Sequence, residues 1–153
     1  MATGKSGYKN CHKGKFKPKN PKKYMGDPKG IVYRSGYEFK FFMKMDHDPN
    51  VMRWASEEFC IRYYSPVDKR ERRYFPDVYY ETRNGKKYLV EIKPYSQCIA
   101  PKKTKNTKRF LREQKTYITN QSKWAYAQEW CDKNNVKFVV VTEKDLFPKI
   151  GKN

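Results

Sequence analysis

The sequence predicts a single mixed α/β domain of order α, β, β, β, α, β behind a basic N-terminal arm. A chain of 153 residues has material for one hydrophobic core rather than two. A segment of helical period precedes three strand-like segments, the last two joined by Asn84-Gly85, a strong hairpin signal. A longer helical stretch then leads into VKFVVVT at residues 136–142, a continuous apolar run of the kind buried on both faces of a mixed sheet as a central or parallel strand.

Residues 1–30 hold nine Lys against one acid, Asp27, among Gly, Pro and Asn, and read as an extended basic arm outside the core. The domain proper is assigned to 31–147, with 148–153 a short basic tail. Ser35 is placed to cap a helix over 35–46, in which Phe39, Phe42 and Met43 recur at helical spacing and Asp48-Pro49 ends the run. Strands follow at 59–64, 73–81 and 86–93. Phe110, Gln114, Tyr117, Ile118, Trp124, Ala127 and Cys131 then mark one broken helix or two, ending near Asn134-Asn135. Trp124, Tyr126 and Trp130 are read as packing aromatics rather than base-stacking platforms.

Thirty-five Lys and Arg against 16 Asp and Glu give a formal charge of +19, which points to a polyanionic partner, nucleic acid first. An aromatic content of 16% sets the chain apart from disordered basic tails. No stretch approaches the roughly 20 apolar residues of a membrane span and no apolar signal core opens the chain, so a soluble intracellular protein with no membrane partner is expected. Cys11, Cys60, Cys98 and Cys131 lack C-x-x-C spacing and are expected as reduced thiols, with zinc at Cys11 and His12 the alternative.

Glu91 and Lys93 sit in a segment that otherwise reads as mid-sheet, YLVEIKPY. Alternate strand residues share a face, so the two are displayed together while Val90 and Ile92 point the other way. Asp77, on the preceding strand, adds a second carboxylate. Hard oxygen ligands for a divalent cation beside a positive side chain on a rigid strand are what metal-dependent phosphodiester hydrolysis needs. The plain structural reading is a solvated sheet face with a cross-strand ion pair contributing at most about 1 kcal/mol.

Pro76-Asp77 followed by Glu91-Ile92-Lys93 resembles the PD-(D/E)xK motif of the restriction-endonuclease-like superfamily, whose core has the same αβββαβ order. YRSGYEFKFF, WASEEFCIRYYSP, RYFPDVY and YLVEIKP in series, behind YKNCHKGKFKPKNPKKY, resemble the head completion nucleases of large contractile-tailed bacteriophages, relatives of the transposon end-cleaving nuclease subunit. The resemblance implies a metal-dependent deoxyribonuclease that uses Mg2+ or Mn2+ and no organic cofactor. It further implies double-stranded DNA and phage head or neck proteins as partners, and a place in the infected host's cytoplasm or at the virion head or neck. Asp77 and Glu91 would bind metal, Lys93 would position water or oppose developing negative charge, and Glu38 would complete the metal shell. For Glu38 a second reading stands beside this one, since Ser35 and Glu38 have capping-box spacing. A non-catalytic DNA-binding or virion-joining protein of the same fold is the alternative function. An RNA partner is disfavoured by the lack of an RNP-type aromatic pattern.

The hairpin register tests the shared site. A tight turn centred on Asn84-Gly85 makes paired residue numbers sum to 169 and turns Asp77 and Glu91 to opposite faces. A three-residue loop or a bulge restores one face, and at a sum of 170 sets Asp77 beside Lys93 and Tyr79 beside Glu91. The DNA contacts expected are Lys13, Lys15, Lys17 and Lys19 of the arm, Arg34, the basic loop Lys102, Lys103, Lys105 and Lys108, and Lys123. Gln114, Asn120 and Lys123 are placed to line the site from the second helix. No recognition-helix signature is present, so weak sequence preference and steep salt dependence are expected.

Overall fold

The computed structural model describes residues 13–102 and 107–147. The expectations for Cys11, His12, Lys103, Lys105 and residues 148–153 lie outside the described residues. Ser35 caps α1 (Gly36–His47), its Oγ accepting the Glu38 N–H at 3.1 Å. The helix buries Phe41, Phe42 and Met45, while of the residues whose spacing marked it Phe39 is half-buried and Met43 exposed.

A mixed four-stranded sheet carries the domain. Its order is β3 (Val51–Ser56), β6 (Val78–Thr82), β7 (Lys87–Ile92) and β8 (Lys137–Val141), the first three antiparallel and β8 parallel to β7. α2 (Lys108–Lys133), a single continuous helix capped by Thr107, makes the crossover from β7 to β8. One sheet face packs Trp54, Val78, Val90 and Ile92 against Phe41, Phe42 and Met45 of α1. The other packs Tyr79 and Leu89 against Ala127 and Cys131 of α2. A four-residue α3 (Glu143–Leu146) follows β8 with a full capping box between Thr142 and Asp145.

The αβββαβ order holds, with different strands filling it. The first core strand is β3, a segment not anticipated, because Met52 and Arg53 are exposed at a register shift and break its alternation. The strand expected at 59–64 is instead β4 (Ile61–Ser65). It pairs only with β5 (Arg70–Tyr74) in a hairpin inserted between β3 and β6. The strand expected over 73–81 is cut at Phe75-Pro76-Asp77, where Pro76 has no N–H to give to a ladder. β8 is parallel as expected but stands at the sheet edge, with Phe138, Val139 and Val140 half-buried.

Residues 13–30 are not an arm outside the core. Phe16 is 3% exposed and meets the rings of Phe39, Phe42 and Trp54 edge-on at 5.7–5.9 Å. β1 (Gly14–Lys15) pairs with β2 (Val32–Tyr33), and Met25 N–H bonds the Trp54 carbonyl at 2.7 Å, covering the open edge of β3. The buried Asp46 carboxylate accepts the N–H groups of Lys19 and Asn20 at 2.8 and 3.0 Å. Sparse aromatics among many lysines thus suffice to anchor the segment. Among the described residues no helix is long and apolar enough to cross a membrane.

Candidate active site

The β6–β7 hairpin closes through a three-residue loop, Arg83, Asn84 and Gly85. Thr82 N–H bonds Lys86 O at 2.9 Å, Gly85 N–H bonds Thr82 O at 3.0 Å, and Gly85 takes φ +83°. This is a turn followed by a left-handed glycine, the three-residue alternative to an Asn-Gly two-residue turn. Two residues, Thr82 and Arg83, favour it through four hydrogen bonds. The Thr82 hydroxyl holds Asn84 Oδ1 and accepts the Lys86 N–H, while Arg83 N–H and Nε bond the carbonyls of Asn50 and Pro49.

The paired residues therefore sum to 168, from Val78 with Val90 to Glu81 with Lys87. The expected odd-length loop is present, but its register differs by two from the 170 anticipated. Continued past the ladder's end, the register sets Asp77 level with Glu91 rather than with Lys93, and Tyr79 is paired with Leu89. Asp77, Glu91 and Lys93 share the sheet face turned toward α2. Asp77 replaces a ladder carbonyl with its own carboxylate, Oδ2 accepting the Ile92 N–H at 2.7 Å. Glu91 is 4% exposed, and its Oε1 accepts the Tyr74 hydroxyl at 2.9 Å. Lys93 Nζ lies 3.9 Å from Glu91 Oε2. Burial raises the Asp77 carboxyl well above the ordinary range, and the Glu91 charge pushes it further.

Glu38 makes a capping contact at the start of α1. Its N–H is held by Ser35, while its Oε2 accepts the Arg34 N–H at 3.2 Å, a capping contact one residue earlier than in a capping box. Burial, then the charges of Glu57 and Glu91, raise its pKa even though the Arg34 N–H opposes this, so it belongs to the same electrostatic field. Glu57 was missed by sequence reading. It ends β3 in the left-handed region at φ +55°, gives its N–H to the Asp77 carbonyl at 3.2 Å, and pairs its carboxylate with the Arg34 guanidinium. Tyr74 was also missed, although it stands three residues before Asp77 in the sequence. Among the described residues no three Asp, Glu, His or Cys groups stand at metal-ligand spacing.

The expected DNA contacts divide. Lys13, Lys15, Lys17 and Lys19 are all exposed. Lys13 and Lys15 lie by β1, whose partner β2 leads into Arg34 and the α1 N-terminus, whereas Lys19 is tied to the C-terminal end of α1 through Asp46. Arg34 is engaged by Glu57. Lys102 and Lys108 are exposed, and Lys123 is half-buried beside the acids, within the fields of Asp77 and Glu91. Gln114 is exposed on the first half of α2 and Asn120 is buried. A groove of about 530 Å3 opens at the other end of β7, between Lys86–Tyr88 and Asn135–Lys137. The carboxylates stand instead at the carboxyl ends of parallel β7 and β8.

A mixed sheet flanked by helices, with paired carboxylates and a lysine on one hairpin face, defines the restriction-endonuclease-like class. The family of TnsA-like endonuclease N-terminal domains matches residues 48–143, and the chain belongs to that family. The matched span includes Asp77, Glu91 and Lys93 and leaves out Glu38. The chain is also similar to the head completion nuclease of Enterobacteria phage T4, with 39% identity over 141 residues, covering 89% of this chain and 94% of that protein. No solved structure matches.

Proposed function

We propose that the chain is a divalent-metal-dependent DNA endonuclease of low sequence specificity, acting in phage head completion and head-tail joining. The observation that carries it is the register. A three-residue loop brings Asp77 and Glu91 level on one face, with Lys93 3.9 Å from Glu91. Similarity to a protein named a head completion nuclease supports the biological setting.

The donor set suits Mg2+ or Mn2+. Magnesium is held by one or two carboxylates, keeps several waters and takes substrate phosphate oxygens, so three clustered protein ligands are not required. Asp77 Oδ1 and Glu91 Oε2 are the oxygens left after the Ile92 and Tyr74 hydrogen bonds. Two carboxylates, one driven toward its neutral form by burial and then by the charge of the other, form a pair that a cation relieves. Once bound, the ion supplies Lewis acidity at the phosphate and acidifies a coordinated water.

The chain's own residues do the rest. Lys93 holds the attacking water or opposes charge on the non-bridging oxygens as the new P–O bond forms and the bond to the leaving deoxyribose oxygen breaks. Tyr74 fixes the Glu91 rotamer, and the Ile92 N–H fixes Asp77. Exposed lysines grip the duplex by its phosphates, which carry no sequence information.

Supercoiled plasmid incubated with wild type, Asp77→Ala and Lys93→Ala in Mg2+, Mn2+ and EDTA tests this. Wild type should nick or cut only with metal, and each variant should lose at least about 10²-fold in rate. Plasmid left equally intact by all three proteins would refute the enzyme reading and favour the non-catalytic DNA-binding or virion-joining alternative. An RNA preference at matched salt would overturn the substrate assignment.

A further inference from the structure

Lys123 projects from α2 toward the inserted β4–β5 hairpin. Its Nζ stands 5.6 Å from the ring centre of Tyr74 and 5.9 Å from that of Tyr63. The two rings meet edge-on at 6.5 Å. Tyr74 gives its hydroxyl to Glu91, so Lys123 is one side chain removed from the paired carboxylates. Tyr63 is the cross-strand partner of Arg72. Half-buried, Lys123 forms no salt bridge among the described residues, and it lies in the opposed fields of the cations Lys93 and Arg72 and of the carboxylates Glu91 and Asp77. Burial, then the Lys93 charge, lower its pKa. One turn earlier on α2, Asn120 is 4% exposed with its Nδ2 unpartnered among the described residues. A half-buried ammonium with no ion-pair partner among the described residues, beside an orphaned donor, is a costly arrangement that a bound phosphate oxygen relieves.

From this geometry we infer that Lys123 is a second catalytic cation, contacting the phosphate under attack together with Lys93 and held in place by the Tyr63 and Tyr74 rings of the inserted hairpin. The inference rests on the endonuclease reading. As water's oxygen bonds to phosphorus and the ester bond to the leaving oxygen breaks, negative charge grows on the non-bridging oxygens. Lys123 shares that charge with Lys93, and no proton need leave it. The hairpin is thereby part of the reaction centre, supplying Tyr74 to Glu91 and a cation–π seat to Lys123.

The test separates binding from chemistry. Affinity for a short fluorescent duplex is measured in EDTA, and single-turnover cleavage at saturating duplex in Mg2+, for wild type, Lys123→Met, Lys123→Gln and Lys123→Arg. Thermal melting shows that each variant is folded. Removal of the charge should slow saturated cleavage by about 10²-fold or more, with affinity weakened less than about 5-fold because one phosphate contact among many is lost. Arginine, which keeps the charge, should restore most of the rate. Folded Met and Gln variants that cleave at the wild-type rate once saturated would overturn the inference alone. Wild type that leaves the duplex intact in both Mg2+ and Mn2+ would overturn the endonuclease reading and this inference with it.

Discussion

Replacing Asp77 with Asn should stabilise the protein while abolishing its activity. Asp77 and Glu91 are level across the hairpin, Glu91 buried and Asp77 half-buried. Cross-strand pairs place Cβ atoms about 5 Å apart, so a carboxylate separation of roughly 6 Å gives a repulsion of about 3 kcal/mol at an effective dielectric of about 20. Lys93, 3.9 Å from Glu91, offsets part of this. Asparagine keeps an oxygen to accept the Ile92 N–H and removes the charge. A gain of about 1–2 kcal/mol in EDTA is expected, which for a chain of this size is a rise of about 3–6 °C in Tm. Added Mg2+ should reverse the order, because ligand at about 100 times its Kd stabilises wild type by about 2.7 kcal/mol and the variant lacks a ligand. Thermal melts with and without metal, run beside plasmid cleavage, read both effects. A variant that melts below wild type in EDTA would refute the reasoning, since Asp77 would then be held by attraction to Lys93 rather than strained against Glu91.

Phe16→Ala should cost about 3–5 kcal/mol in urea denaturation, the loss typical of a buried aromatic, whereas a solvated arm would lose almost nothing. Burial acts against the Glu81 carboxylate, but hydrogen bonds from the Tyr79 hydroxyl at 2.6 Å and Arg53 Nε at 2.8 Å outweigh it and depress its pKa. A depressed folded-state pKa stabilises above the unfolded value and is lost as pH falls through the folded one. Glu81→Gln should therefore cost about 1–3 kcal/mol near pH 7 and progressively less below about pH 4.5, read by urea denaturation across that range. A difference independent of pH would refute the charged role of Glu81.

The elements with strong local signals were legible from sequence. Ser35 and the Phe39, Phe42 spacing placed α1, and the spacing from Phe110 to Cys131 placed α2, because caps and helical periodicity act over four or five residues. β3 was not legible because a register shift breaks its alternation, and the core position of Phe16 was masked by the lysines around it. The motif residues Asp77, Glu91 and Lys93 were visible, while Tyr74 and Glu57 were not, since their roles depend on partners 17 and 23 residues away.

The sequence by itself determined that a strand would present Glu91 and Lys93 on one face, because the period of a strand is two wherever the chain is extended. It also determined that this pair could share a face with Asp77 only through an odd-length loop or a bulge. Tertiary structure decided that the loop is odd. Arg83 is drawn into it by the carbonyls of Asn50 and Pro49, so the long-range contact overrides the tight turn that Asn84-Gly85 favours locally. Tertiary structure likewise set Lys123 against Tyr63 and Tyr74, because a helix face and an inserted hairpin far apart in sequence meet only once the sheet between them has formed.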